Sequence, residues 1–263
     1  MNKFTNYISK TIGASTLISL FAINHVQAQE AAVPTPPRMS PEMTEFWEPE
    51  VKVITPGNGT TTAPSDAIIL FDGKNLDQWK GKDGEPAKWV VNKGVFTVAK
   101  GTGDITTKQD FNDFQLHIEW SIPADIAGTS QARGNSGVFL QDRYEIQVLD
   151  SYNNRTYSNG QAASVYKQYP PLVNAMRKPG EWNVYDIVYV APRFKEDGSV
   201  FTPARVTVLH NGVVVQNDVA IKGPMRYIGL PEYKAHGKAP LHLQDHGDPS
   251  KPISFRNIWL REM

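Results

Sequence analysis

The chain contains no cysteine. That absence excludes disulfides, thiolate metal sites, a cysteine nucleophile and a lipid-modified lipobox cysteine. Charge of one sign is missing too: 27 Lys and Arg balance 27 Asp and Glu. No general field is therefore available to grip nucleic acid or an anionic membrane. No mature stretch approaches the roughly 20 apolar residues that a transmembrane helix needs. A helical 3.6-residue period is nowhere sustained beyond two turns, and no repeat of fixed length occurs. The Gly-x-Ser-x-Gly elbow of many hydrolases is absent. Gly101-Thr102-Gly103-Asp104 lacks the Lys-Ser/Thr and the following helix of a phosphate loop.

What is present is globular: 263 residues, 40% hydrophobic and 21% charged, enough for a sizeable core. Lys3 and Lys10 in a polar start, an apolar run from Thr11 to Ile23 and then Val26-Gln27-Ala28 read as a signal peptide, residues 1–28; a short N-terminal anchor is the alternative. Its removal takes two lysines and no acid, leaving 25 basic and 27 acidic residues and a net charge of −2. The expected product is exported, periplasmic or secreted, and is not a lipoprotein. Residues 29–65 carry Pro34, Pro36, Pro37, Pro41, Pro49, Pro56 and Pro64. Proline fixes φ and removes a donor, so this segment is expected to be an arm without helix or central strand. Asn154-Arg155-Thr156 fits a glycosylation sequon, although turn formation is the better reading of such residues.

Residues 66–263 read as one domain of short strands. Phe114, Leu116, Ile118 and Trp120 alternate with Gln115, His117 and Glu119, one set apolar and the other polar. Asn211-Gly212 marks a hairpin, because both residues tolerate positive φ. Many strands joined by Gly, Pro and Asn turns, with no intervening helices, predict an all-β fold, a two-sheet antiparallel sandwich or jelly roll.

Chemistry concentrates in two stretches. From Tyr144 onward the alternation puts Glu145 and Gln147 on one face and Ile146 and Val148 on the other, the two polar side chains about 7 Å apart. Asn135-Ser136-Gly137 could add donors at the strand's entry. Glu119 raises the possibility of a second carboxylate, so that two carboxylates on facing strands act as acid and base. In Leu243-Gln244-Asp245-His246-Gly247, Gln244 and His246 share one side with Asp245 between them. A histidine beside a carboxylate can serve as a general base. His242 and His246 are four apart on an extended segment, so no metal site is expected, and no cofactor.

These residues carry a resemblance. Leu70-Phe71-Asp72-Gly73-Lys74-Asn75-Leu76-Asp77-Gln78-Trp79, Gly134-Asn135-Ser136-Gly137-Val138-Phe139-Leu140, Arg143-Tyr144-Glu145-Ile146-Gln147-Val148-Leu149-Asp150, Gly180-Glu181-Trp182-Asn183 and Leu243-Gln244-Asp245-His246-Gly247 with Phe255-Arg256-Asn257-Ile258 occur in order. Over about Ile68 to Glu262 the chain resembles the 3-keto-disaccharide hydrolase family, whose fold is a concanavalin-like jelly roll. The resemblance implies breakdown of a 3-keto glycoside that a partner oxidoreductase has made. Ser164-Val165-Tyr166-Lys167 stands where the family usually has Gly-Val/Leu-Tyr-Gly, which adds a cation near the expected site.

A ketone at C3 acidifies the hydrogen at C2, so a modest base can start elimination of the C1 substituent, and water addition completes a net hydrolysis. On this expectation Glu145 and His246 are base and acid, in either order, and Asp245 sets the His tautomer. Asn135, Arg143 and Gln147 orient hydroxyls or stabilise the enolate, Glu119 and Gln244 are further substrate contacts, and Tyr166 and Lys167 line the rim. Two other readings remain open on the residues alone: a carbohydrate-binding module without catalysis, and a conventional glycosidase that uses two carboxylates.

Overall fold

The computed structural model describes residues 38–58 and 62–263. The expected signal peptide, residues 1–28, and the start of the proline-rich arm lie outside the described residues. The chain divides into two units, Met1–Val51 and Lys52–Met263. In the first, Pro41–Thr44 forms one 3-10 turn opened by its proline. The arm expected over residues 29–65 is thus divided, and its last part belongs to the second unit. There the Ser65 amide donates to the Thr55 carbonyl (3.0 Å) and the Thr55 amide to Ser65 Oγ (3.0 Å).

The second unit is all-β. In chain order its strands are β1 Ile68–Phe71, β2 Trp79–Gly81, β3 Val90–Asn92, β4 Val95–Thr97, β5 Ile105–Phe111, β6 Phe114–Ser121, β7 Asn135–Leu140 and β8 Tyr144–Leu149. They continue as β9 Trp182–Val190, β10 Arg193–Phe194, β11 Val200–Thr202, β12 Arg205–His210, β13 Val213–Ala220, β14 Ala239–Leu243 and β15 Ser254–Glu262. Eight of them form one sheet in the order β13-β12-β9-β6-β15-β4-β3, with β1 also paired to β15. Five form the other, β2-β5-β14-β7-β8, and β10-β11 is a separate ribbon. Every named pairing is antiparallel, and the two sheets make a jelly-roll sandwich.

The apolar faces of the two sheets share one core. Phe114, Leu116, Ile118 and Trp120 of β6 are all buried in it, as their alternation predicts. From the five-stranded sheet come Val138, Leu140, Ile146, Val148, Leu241 and Leu243. Each such side chain stabilises the fold by roughly 1.5–3 kcal/mol, and they replace the disulfides that the chain cannot form. The β12–β13 hairpin turns on Asn211 (φ 53°) and Gly212 (φ 80°), the left-handed pair that a tight turn demands.

One feature of β15 departs from simple alternation. Between Arg256, opposite Glu119, and Trp259, opposite His117, β15 has one residue more than β6. Asn257, with φ 46°, supplies this bulge. The extra residue restores parity, so Phe255, Ile258 and Leu260 all face the core while Arg256, Asn257 and Trp259 face away from it.

Candidate active site

Strands β7, β8 and β14 carry their polar residues on the face of the five-stranded sheet turned away from the core. Phe139 pairs with Glu145 and Gly137 with Gln147. The free edge of β8 is then covered by the segment after Gly160. The Gln147 amide donates to Ser164 O (3.0 Å), Ala163 N to Gln147 O (2.9 Å) and Tyr166 N to Glu145 O (3.1 Å). This cover converts an open sheet face into a cavity of about 390 Å³. It is lined by Gln131, Asn135, Glu145, Gln147, Tyr157, Tyr166, Lys167, Met225, Tyr227, Gln244 and His246.

Glu145 is the only carboxyl group among these lining residues, and only 4% of its surface is exposed. No described group donates to its Oε2. Burial alone pushes its pKa from 4.5 up to about 8, so the acid holds its proton at neutral pH. Its side chain occupies space that exists because residue 137 is glycine. A Cβ there would stand 2.8 Å from Glu145 Oε1 and 2.7 Å from the Phe139 ring.

A ladder of amides lies beside the acid. Gln147 Nε2 donates to Gln131 Oε1 (3.0 Å) and Asn135 Nδ2 to the Gln131 carbonyl (2.9 Å). Gln131 Nε2 in turn donates to Thr156 Oγ1 and Gly160 O, both at 3.0 Å. The donors of Gln147 are thereby engaged, while its Oε1 and the Oε1 of Gln244 are buried with no hydrogen-bond partner. Two acceptors are left aimed at hydroxyl groups. Opposite them the phenols of Tyr157 and Tyr166 meet at 2.6 Å. Burial pushes both phenol pKa values up, so both rings keep their protons. Only one proton fits in the shared bond, and the other is free to be donated outward.

His246 completes the cavity, and its carboxylate partner is Asp248. His246 Nδ1 lies 3.1 Å from Asp248 Oδ1. Burial opposes the charge of Asp248, but hydrogen bonds from His246 and Ser250, with Lys100 nearby, hold its pKa down to about 2. The Asp248 amide also points at Nδ1 (3.3 Å), so the tautomer decides the role: with the proton on Nδ1, toward the carboxylate, Nε2 keeps its lone pair.

The structure thus brings together Asn135, Glu145, Gln147, Tyr166, Lys167, Gln244 and His246, and separates three other expected residues from them. Asp245 does not orient His246; its Oδ2 accepts from Gly103 N (3.0 Å), because the strand alternation ends at this turn. Arg143 donates from Nη1 to Gln141 O (2.9 Å) and does not line the cavity. Glu119 belongs to the other sheet, where Arg256 Nε (2.6 Å) and Asn257 Nδ2 (2.8 Å) hold it, so it cannot form an acid–base pair with Glu145. His242 lies 2.8 Å from both Asp104 Oδ2 and Asp142 Oδ1, one on each ring nitrogen. The Asn154 side chain is buried and bonded to both backbone groups of Ser130, which is the turn-forming use of that sequon.

Sequence reading missed Gln131, Tyr157, Met225, Tyr227 and Asp248. Gln131 sits in a single 3-10 turn, Ser130–Ala132, and the next three arrive on loops without periodicity. Met225 is placed by its amide bond to Arg143 O (2.8 Å), which no local pattern announces. The spacing His246-Gly247-Asp248 was an available signal for the fifth.

An all-β sandwich with a buried, protonated carboxylic acid, a His–Asp pair and unpaired amide acceptors in one cavity has the equipment of an enzyme that cleaves glycosides. The chain belongs to the family of the 3-keto-alpha-glucoside-1,2-lyase-like domain, whose model matches residues 66–261. It is similar to a "putative glycosyl hydrolase" from Parabacteroides distasonis of known structure. The two are 62% identical with a TM-score of 0.83, over 86% of this chain and 97% of that one. Two further structures of that description and organism share the fold. One is 23% identical with a TM-score of 0.53, over 75% of this chain and 94% of its own. The other is 24% identical with a TM-score of 0.51, over 75% and 99%. The chain matches none of the curated proteins. Membership in this family makes it a glycoside-cleaving enzyme of the lyase or hydrolase kind.

Proposed function

We propose that the enzyme eliminates the C1 substituent of a 3-keto glycoside and that water then adds to the product, for a net hydrolysis. The observation that carries this reading is the lone protonated carboxyl of Glu145 in the same cavity as His246 and its Asp248 anion. A conventional glycosidase needs two carboxyl groups at the bond, whereas an elimination needs one base and one acid.

His246 Nε2 takes the C2 proton, and the C2–H electron pair passes into the enolate with its charge on the C3 oxygen. The free proton of the Tyr157–Tyr166 pair stabilises that oxygen. The enolate then collapses to restore the ketone and form the C1–C2 double bond, the C1–O bond breaks with its electrons going to oxygen, and Glu145 protonates the departing oxygen. Gln147 and Gln244 accept hydrogen bonds from the hydroxyls of the ring. In the same reading residues 1–28 direct export, the enzyme acts outside the cytoplasm, and an oxidoreductase supplies the 3-keto substrate.

Replacing Glu145 by Gln keeps the shape and removes the proton source. The expected result is a loss of about 10²–10⁴-fold in release of the departing group, with folding intact by circular dichroism. Full activity in Glu145→Gln contradicts the assignment.

A further inference from the structure

Lys167 stands out among the residues of the cavity. Its φ is 59°, in the left-handed region where glycine is at ease and a lysine side chain is not. The backbone is fixed there by the bond from Lys167 N to Asn159 O (2.8 Å). The ammonium lies 4.5 Å from the centre of the Tyr227 ring and 5.2 Å from that of Tyr157. Aromatic faces hold a cation while leaving its N–H donors available. Lys167 takes part in no ion pair among the described residues, unlike Lys74, Lys82, Lys88, Lys100, Lys238 and Lys251.

The rest of the lining leaves this charge uncompensated. The only carboxyl there keeps its proton at neutral pH, the amides, phenols and Met225 carry no charge, and the imidazole of His246 is never an anion. Position adds to this: Glu145 and Gln147 are buried at depth, whereas Lys167 and Tyr227 are exposed at the mouth. A disaccharide whose reacting ring sits at the depth of Glu145 has room for its remaining part at the mouth, where Lys167 stands. A lysine ammonium is a compact point charge with three donors, suited to any anionic oxygen group.

We propose that Lys167 selects glycosides whose departing portion carries an anionic group, a carboxylate or a sulfate ester. This rests on the elimination proposed above for the identity of the reacting ring, but the charge preference is measurable without it.

Two measurements on the full chain separate the claims. Turnover is followed with 3-keto disaccharides of one linkage whose departing sugar is glucose, glucuronate or 6-sulfoglucose. Binding of the corresponding unoxidised disaccharides is followed by calorimetry. Both are repeated in Lys167→Gly, which suits the backbone angle, and Lys167→Met, which keeps the length. The wild type is expected to favour an anionic compound by about tenfold in kcat/KM and in binding, with the margin shrinking as salt rises. In both variants the ratio falls to about one. A preference for glucuronate alone or for 6-sulfoglucose alone identifies the anion. Turnover of all three 3-keto compounds with no charge preference overturns the role of Lys167 and leaves the elimination intact. Charge-selective binding that vanishes in both variants, without turnover of any 3-keto compound, supports the Lys167 site and overturns the elimination.

Discussion

Glu145 and Gly137 have to be considered together, because a Cβ at residue 137 would stand only 2.8 Å from the acid's Oε1. Gly137→Ala is expected to push the carboxyl and the Phe139 ring aside, costing about 1–3 kcal/mol of stability and at least tenfold in turnover. Unchanged turnover, read with a parallel thermal melt, contradicts this placement. The proton on Glu145 sets the pH behaviour. As the acid it must be protonated, so kcat/KM falls as pH rises through about 8, and that limb disappears in Glu145→Gln. A rise in kcat/KM over the same range would falsify the acid role. At this scale the sequence was partly legible. Strand alternation put Glu145 and Gln147 on one face, since a period of two is a local property. It could not say that the face would be covered, because Tyr157, Tyr166 and Tyr227 reach it from loops. Asp245 misled for a related reason: alternation stops at the turn, and the next carboxylate, Asp248, comes round to His246.

At the scale of elements, the bulge in β15 organises the outer face of the larger sheet. It aims Asn257 Nδ2 at Glu119, while Arg256 bonds Glu119 and lies 4.1 Å from the centre of the Trp182 ring. His117 stacks on Trp259 and contacts Asp186 Oδ1 at 2.7 Å. Burial disfavours the imidazolium, yet Asp186 and Glu119 raise its pKa from 6.5 to about 9. Burial likewise opposes the charge of Glu119, and His117, Asn257 and Arg256 lower its pKa from 4.5 to about 2. The raised histidine contributes stability that is complete below 6.5 and lost as pH rises through about 9. The lowered carboxylate contributes stability present above 4.5 and lost as pH falls through about 2. Glu145 shares the sign of His117, losing its contribution between 4.5 and about 8. Thermal melts of His117→Gln should therefore show a shallower alkaline decline than the wild type, and an identical decline contradicts the network. The bulge was not legible in the sequence, because Arg256-Asn257 reads like any polar pair until the partner strand's register is known.

For the whole molecule, the fold was the most legible part, since Gly, Pro and Asn punctuation and the alternating strands are distributed along the entire domain. Its zero net charge fits the proposed function, in which a neutral sugar ring meets placed acceptors such as Gln147 and Gln244 instead of a field. The central claim is that this cavity removes a proton from C2 before the glycosidic bond breaks. Incubating the enzyme in D₂O with a 3-keto glucoside and with its unoxidised parent, and following the products by mass spectrometry against an enzyme-free control, tests it most directly. The account predicts cleavage of the 3-keto compound alone, with deuterium at C2 of the sugar released. Cleavage of the parent, or release of a hydrated 3-keto sugar that keeps protium at C2, would contradict it.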